Sequence, residues 1–211
     1  MPVDPAVLNG PATPYSAARA QIQNGDIALF HGQEPFSKLI QAFTDGPWSH
    51  VGFVWRMDDI DRVMLLEAVD HLGVRLIPLS TKLNGNAAEP KYSGQMVIAR
   101  HSGFPAGITD PAHPQNAQFS AMTKYAVDRV GFPYSAGDIA NIAVRIMVGF
   151  VGVQASQDLA PGDSYICSEY AYECYHQIGV EIPFNPEKFV SPNDFGRAGP
   201  VTLIAQVGPD S

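Results

Sequence analysis

Five strand-like segments follow one another in the first half of the chain, and this succession constrains the fold most. The segments are DIALFHG (26–32), SHVGFVWR (49–56), RVMLLEAV (62–69), GVRLIPL (73–79) and QMVIARH (95–101). In the second of them, Val51, Phe53 and Trp55 alternate with His50, Gly52 and Val54, which is the two-residue period of a strand. The turns 57–61 and 70–72 are short, so the strands that they join are expected to pair antiparallel, because a parallel crossover needs a dozen residues or more.

Helical patterns surround these strands. PFSKLIQAFT (35–44) predicts a helix, and PQNAQFSAMTKYAVDRVG (114–131) carries apolar residues at helix spacing and closes at a glycine. Further helices are predicted at 135–150 and after Asp163, and VTLIAQV (201–207) predicts a last strand. The fold class is therefore α+β, with helices packed against a mostly antiparallel sheet or open barrel.

The length of 211 residues suits a single domain, 1–211, with a Pro/Ala-rich arm at 1–23 and an apolar helical elaboration at 135–154. The formal net charge of −8 and the lack of a basic run argue against a nucleic-acid partner. The apolar run 139–153 contains Asn141 and Arg145 and is too short to span a bilayer, although peripheral membrane contact stays open. The first residues resemble no secretory signal, so a cytoplasmic location is expected, with export by another route still open.

Cys167 is the first candidate for chemistry. Asp163 and Ser164 are suitable N-cap residues, so this thiol is expected in the first turn of a helix, where free N–H groups favour an anion. A stripe of apolar residues every four positions predicts the core-facing side of that helix: Ile166, Tyr170, Cys174 and Ile178. Cys174 lies too far along the helix to form a disulfide with Cys167. By itself this position leaves Cys167 either a nucleophile or a buried core thiol.

A nucleophilic thiol requires a base, and His50 is favoured among six histidines because it opens a strand beside Gly52. His31 and His101 are weaker candidates at strand ends. Glu67 is a carboxylate within the apolar run VMLLEAV, which is costly unless the group is paired or lies at a solvent-facing edge. It either faces solvent or orients His50. No metal-ligand spacing and no phosphate-binding loop occurs in the sequence, so no cofactor or metal is expected.

The segments GDIALF, PWSHVGFV, LLEAV with GVRLIPL, VGFPYSAGD and YICSEYAYECYHQIGVEI together resemble the YiiX/YebB-like branch of the circularly permuted, NlpC-type papain-like cysteine hydrolases. The resemblance spans roughly residues 25–182, in the order of that family. It implies Cys167 as the nucleophile, His50 as the general base and Glu67 as the residue that orients the base. It also implies that Tyr165, Ser49 and Tyr134 lie on the substrate or oxyanion side of the site.

The resemblance implies acyl transfer through a thioester, with cleavage of an amide or ester in a cell-wall-type peptide or an N-acyl substrate. Two alternatives stay open. The related lecithin–retinol acyltransferase group acts on lipid acyl groups, and the apolar run 139–153 suits such a substrate. The chain could also be a binding module that keeps the fold without turnover. A peptide, N-acyl or lipid partner is expected in each case.

Overall fold

A computed structural model describes residues 3–135, 165–183, 189–197 and 199–210. These residues contain one seven-stranded sheet, with strands in the order β1-β7-β6-β2-β3-β4-β5. The strands are β1 (Thr13–Pro14), β2 (Ile27–His31), β3 (His50–Met57), β4 (Arg62–Val69), β5 (Gly73–Pro78), β6 (Gln95–His101) and β7 (Val201–Gly208). The short β1 pairs parallel with β7, and the other neighbours pair antiparallel. The sequence-based fold class is thereby confirmed: the sheet is open and packs against helices.

Six α-helices lie within the described ranges. They are α1 (Tyr15–Ala18), α2 (Pro35–Phe43), α3 (Leu79–Asn84), α4 (Asn116–Asp128), α5 (Cys167–His176) and α6 (Pro192–Arg197). Short 3₁₀ turns occur at Pro5–Asn9, Arg19–Gln21 and Asp58–Ile60. None of the described helices combines the length and apolar character needed to cross a membrane. The helix predicted for 135–150 lies outside the described residues apart from Ser135, which is not helical.

Both faces of the sheet are covered by apolar side chains, because alternate residues of each central strand enter two different clusters. One face packs against α4, α5 and α6 through Leu29, Val51, Phe53, Leu66 and Val97. The other face packs against α1 and α3 through Ala28, Phe30, Val54, Leu65 and Ile98. Burying each large apolar side chain contributes about 1.5–3 kcal/mol, so the two clusters provide most of the driving force.

Two elements differ from the sequence-based expectation. Leu79 was expected to end a strand, but it begins α3 and is fully buried, because the chain turns there to cover the second face of the sheet. The arm at 1–23 is also part of the core, since Tyr15, Ala18 and Ile22 are buried against that same face. The large apolar side chains of this Pro/Ala-rich segment point inward, and they anchor it to the sheet.

Candidate active site

The nucleophile candidate begins helix α5. Ile166 precedes the helix in an extended conformation, Cys167 is the first helical residue, and the Glu169 carboxylate accepts a hydrogen bond from the Ile166 amide at 3.2 Å. The predicted caps, Asp163 and Ser164, lie outside the described residues. The first N–H groups of an α-helix have no partner within the helix, so the start of α5 offers donors to a negatively charged oxygen beside the thiol. Cys167 is a free thiol without a disulfide partner, and the residue is only 4% exposed.

The predicted apolar stripe of α5 is buried throughout: Ile166, Tyr170, Cys174 and Ile178 are each at most 6% exposed. Two tyrosine hydroxyls add fixed points, since Tyr170 donates to the Ala126 carbonyl of α4 and Tyr175 donates to the Gly25 carbonyl ahead of β2. Burial raises the pKa of Cys174 well above its ordinary value, so this second thiol is inert. The packing of α5 therefore fixes where Cys167 lies.

His50 begins β3 and meets a different partner at each side of its ring. Its Nε2 atom lies 2.7 Å from Oε2 of Glu67, so Nδ1 is the ring nitrogen left to interact with Cys167, which acts on the titration of His50 through charge and hydrogen bonding. The Phe30 ring packs 4.9 Å from the imidazole, and 20% of the His50 side chain is exposed. Burial alone would lower the pKa of His50, but the charges and hydrogen bonds of Cys167 and Glu67 outweigh it and raise the pKa to about 9. At neutral pH this environment favours a protonated imidazole beside the Cys167 side chain.

Glu67 is fully buried on β4, which is not an edge strand because β5 lies outside it. The solvent-facing alternative is therefore wrong. Burial would raise the pKa of this carboxyl, but His50, Lys82 and Arg75 together hold the pKa well below its usual range. Gly52 allows Glu67 of β4 to lie close to His50 of β3. A Cβ atom at position 52 would lie 3.2 Å from Cβ of Glu67 and 2.7 Å from the Leu66 carbonyl oxygen.

Among the three residues expected on the oxyanion side, Tyr134 is the one whose pKa is influenced by Cys167. Burial, followed by the charges of Cys167, Asp70 and Glu169, raises the pKa of Tyr134 well above its ordinary value, so the phenol stays protonated and can donate. The preceding loop is fixed by β5, where the Val74 amide donates to the Phe132 carbonyl at 2.9 Å.

The other two residues expected on that side have hydroxyls engaged elsewhere. Tyr165 is 3% exposed, and its hydroxyl accepts a hydrogen bond from Nε of Arg129 at 2.6 Å, at the end of α4. Its backbone bridges to the Tyr134 segment, so its contribution to the site is to hold that segment. Ser49 accepts from the Gly32 amide and donates to the Phe30 carbonyl, so it closes the β2–β3 connection. The structure thus brings Cys167, His50, Glu67 and Tyr134 together, but not the hydroxyls of Tyr165 and Ser49.

The remaining histidines have local partners. His31 bonds the Pro47 carbonyl, His101 accepts from the Gly103 amide, and His113 accepts from the Gln115 amide. His71 and His176 are exposed and pair with nearby carboxylates of Asp70 and Glu181. None of these contacts links an imidazole to Cys167.

Asn193 is a residue of the site that the sequence did not indicate. Its Oδ1 accepts a hydrogen bond from the Trp48 amide, and its Nδ2 donates to the Trp48 carbonyl, both at 3.0 Å. This buried amide on α6 therefore fixes the backbone two residues ahead of His50. The two positions lie 145 residues apart, and no local pattern in the sequence could connect them.

Within the described ranges, the fold and site define an α+β protein with a Cys–His–Glu arrangement at a helix start. No protein-family model matches the chain, and no curated protein matches it either. Among solved structures, the chain is similar to the crystal structure of yiiX from Escherichia coli O157:H7, described there as a metalloprotein, DUF1105. The TM-score is 0.58 at 20% identity, over 90% of this chain and 99% of that chain.

This likeness extends over nearly the whole of both chains and shows a common fold. It agrees with the YiiX part of the sequence resemblance, while the NlpC-type assignment stays a prediction. In the part of the chain that the structure describes, no three His, Cys, Asp or Glu side chains group as metal ligands. Moreover, the Glu67 carboxylate is already shared between His50 and two cations.

Proposed function

We propose that this protein is a cysteine hydrolase that cleaves an amide or ester through a thioester on Cys167. The observation that carries the proposal is the position of His50, whose Nε2 binds the buried Glu67 carboxylate at 2.7 Å and whose pKa is raised by its interactions with Cys167 and Glu67. A nucleophile, a base within hydrogen-bond reach and a group that orients the base are the components of covalent acyl transfer.

In the proposed reaction, the Cys167 thiolate attacks the substrate carbonyl carbon, forming a C–S bond and a negatively charged oxygen. The first N–H groups of α5 and the protonated Tyr134 hydroxyl donate hydrogen bonds to that oxygen. When the tetrahedral species collapses, the C–N or C–O bond breaks and His50 gives its proton to the leaving amine or alcohol. Water then attacks the thioester while His50 accepts a proton from it, and release of the acid restores the thiolate.

The direct test is to trap the acyl-enzyme. Incubation with a p-nitrophenyl ester, followed by mass spectrometry of proteolytic peptides, should give an acyl adduct on the peptide that carries Cys167. Cys167→Ser should lose the thioester and the turnover. Cys174→Ser is the matched control, because Cys174 is a free thiol on the same helix but fully buried, so the adduct at Cys167 should persist. A folded wild type with no adduct at Cys167 would instead support a binding module.

The preferred substrate is a peptide or N-acyl amide, but one observation favours an acyl lipid. Helix α2, which joins β2 to the loop before His50, has no buried residue and leaves Phe36 and Leu39 40% and 43% exposed. Exposed apolar side chains on one helix are suited to contact an acyl chain. The apolar run 139–153, on which the lipid alternative first rested, lies outside the described residues.

The two substrate classes can be separated by protection of Cys167 from alkylation. A long-chain N-acyl amino acid should protect the thiol if the substrate is an acyl lipid, whereas a short N-acetyl dipeptide amide should protect it if the substrate is a peptide. Under the lipid alternative, Phe36→Ser with Leu39→Ser should weaken the long-chain protection. Ile60→Ser is the control, because Ile60 is 61% exposed but lies beyond the far end of β3 from His50.

A further inference from the structure

Four charged side chains of alternating sign adjoin the base of the proposed site. Arg75 of β5 donates to Oε1 of Glu67 from Nε at 2.9 Å and from Nη2 at 2.6 Å. The same guanidinium donates to both oxygens of Glu89 at 2.8 Å. Lys82 of α3 donates to Oε1 of Glu67 at 3.2 Å, and its ammonium lies 4.0 Å from Glu89.

The two oxygens of Glu67 therefore have separate partners. Among the described residues, both cations bind Oε1 and His50 is the partner of Oε2. A guanidinium presents its donors in a fixed plane, so its double contact with Oε1 restricts rotation of the carboxylate about its terminal bond. Since the imidazole is bound at one side by this carboxylate, its orientation toward Cys167 depends on how firmly Glu67 is held.

The burial of these groups makes their arrangement rigid. Glu67 is fully buried, while the Arg75, Lys82 and Glu89 side chains are 14%, 10% and 18% exposed. A desolvated carboxylate needs compensating donors, and in a low-dielectric environment those donors are held strongly. Lys82 also lies over the rings of Phe30 and Tyr92 at 5.5 and 5.6 Å, and Phe30 is the ring that packs on His50.

We infer that Arg75 and Lys82 are positioning residues of the site, which act through Glu67 to hold the His50 ring in line with the Cys167 thiol. The expected effect on kcat rests on the proposed function, whereas the expected effect on the orientation of His50 does not. Arg75 and Lys82 contact neither the Cys167 thiol nor a reacting atom of the proposed reaction. Their role is to fix Oε1 so that Oε2 remains available to the imidazole.

A positioning role and a simple charge effect shift the titration of His50 in opposite directions. Removing a cation near Glu67 makes the surroundings more negative, and by charge alone this would raise the pKa of His50 further. If the cation instead holds Glu67 against the ring, its removal frees the carboxylate to rotate away and the pKa of His50 falls. The titratable and charged groups around the His50 imidazole and its Glu67 partner are Cys167, Arg75, Lys82, Glu89, Tyr92 and Tyr134.

The experiment compares Arg75→Gln with wild type by two readouts. Nitrogen NMR of the His50 imidazole, titrated with pH, should show a lower pKa in the variant. The kcat for ester hydrolysis should fall by at least roughly tenfold with little change in KM, as expected when a residue that orients a functional histidine is lost. Arg75→Lys keeps the charge but not the planar fork, and it should restore kcat in part.

Arg100→Gln is the matched control. Arg100 binds the fully buried Asp26 through two hydrogen bonds of 2.7 and 2.8 Å, as Arg75 binds Glu67, but its partner makes no contact with His50. This variant should lose stability while the His50 titration and kcat stay unchanged. If Arg75→Gln does not fold by circular dichroism, Lys82→Met replaces it, since methionine retains the apolar stem between the two rings.

Three outcomes would overturn the inference: an unchanged His50 titration in the folded variant, a raised His50 pKa with kcat retained, or an equal loss of kcat in Arg100→Gln. The NMR titration needs no substrate. A wild type without hydrolase activity would therefore refute the proposed function, while the His50 titration would still decide the role of Arg75.

Discussion

His50 separates two tasks between its ring nitrogens, because Nε2 faces Glu67 and the other nitrogen is left for the thiol. His50→Ala removes the group that transfers the proton, so kcat should fall about 10²–10⁴-fold. Glu67→Gln keeps the shape of the side chain but removes its charge and replaces one acceptor oxygen by an NH₂ donor, so kcat should fall about ten- to hundredfold less than in His50→Ala. Steady-state kinetics of both variants, at a temperature where both are folded, checks the ranking. Unchanged rates in Glu67→Gln would remove this residue from the site.

The raised pKa of His50 also predicts how acylation depends on pH. Below about pH 9 the imidazole carries the proton that a leaving amine requires, and above that value the proton is lost. The rate of acylation by an amide substrate should therefore decline as the pH rises through about 9. Alkylation of Cys167 by iodoacetamide needs no proton donor, so it should not decline there. A parallel decline of both rates would argue against His50 as the acid.

At the level of single residues, the sequence identified the side chains whose chemistry is unusual for their position. A thiol in a first helical turn and a carboxylate within an apolar strand are anomalies that periodicity reveals, and both are buried beside His50. The direction of a tyrosine side chain is not a periodic property. Tyr165 points to Arg129 and Tyr134 to Cys167, although both were expected on the same side of the site.

Among the secondary-structure elements, helix α6 and the β2–β3 connection form one unit, because Asn193 binds the backbone of Trp48. Asn193→Ala would leave the Trp48 amide and carbonyl buried without their partner, which costs about 1–3 kcal/mol. Since Trp48 lies two residues before His50, kcat should also fall, by roughly tenfold or more, because small displacements of a catalytic group are costly. Urea unfolding and kinetics on the same protein measure the two effects.

Asn116→Ala is the control for this prediction. Asn116 also binds a backbone carbonyl through its side-chain amide, that of Ile108 at 3.0 Å, but on the α4 side of the molecule. It should lose stability without losing kcat. A comparable fall of kcat in both variants would show that the effect of Asn193 is one of general stability.

The strands and helices themselves were largely predictable, because each has the period of its own backbone. Strands β2 to β7 and helices α2 and α4 lie where their apolar patterns indicated, within a few residues. Helices α3 and α6 and strand β1 were not predicted. Six residues that begin Pro-Asn-Asp, and a two-residue strand, are too short to carry a period, and contacts with distant segments decide their conformation.

For the whole molecule, the buried ion network couples the site to the free energy of unfolding. The pKa of Glu67 is lowered in the folded chain from an ordinary value of 4.5. Its contribution to stability is therefore fully present above about pH 4.5 and is lost as the pH falls through the folded pKa. Glu89, whose pKa is lowered mainly by its hydrogen bond with Arg75, contributes in the same sense. Burial raises the pKa of Asp26, so this carboxyl contributes in the opposite sense.

Glu67→Gln should accordingly destabilise the protein most near neutral pH, by about 3 kcal/mol, because Arg75 and Lys82 lose their fully buried counter-charge and share only the partly exposed Glu89 among the described residues. The difference from wild type should narrow as the pH falls below about 4.5, where wild-type Glu67 begins to lose its advantage over a neutral amide. Asp26→Asn is the control, and its difference from wild type should widen over the same interval, because protonation of Asp26 is favoured in the folded state. Urea unfolding of the three proteins between pH 3 and 7 measures these slopes. A constant difference between wild type and Glu67→Gln across that range would mean that Glu67 is not held as a buried carboxylate by His50, Arg75 and Lys82.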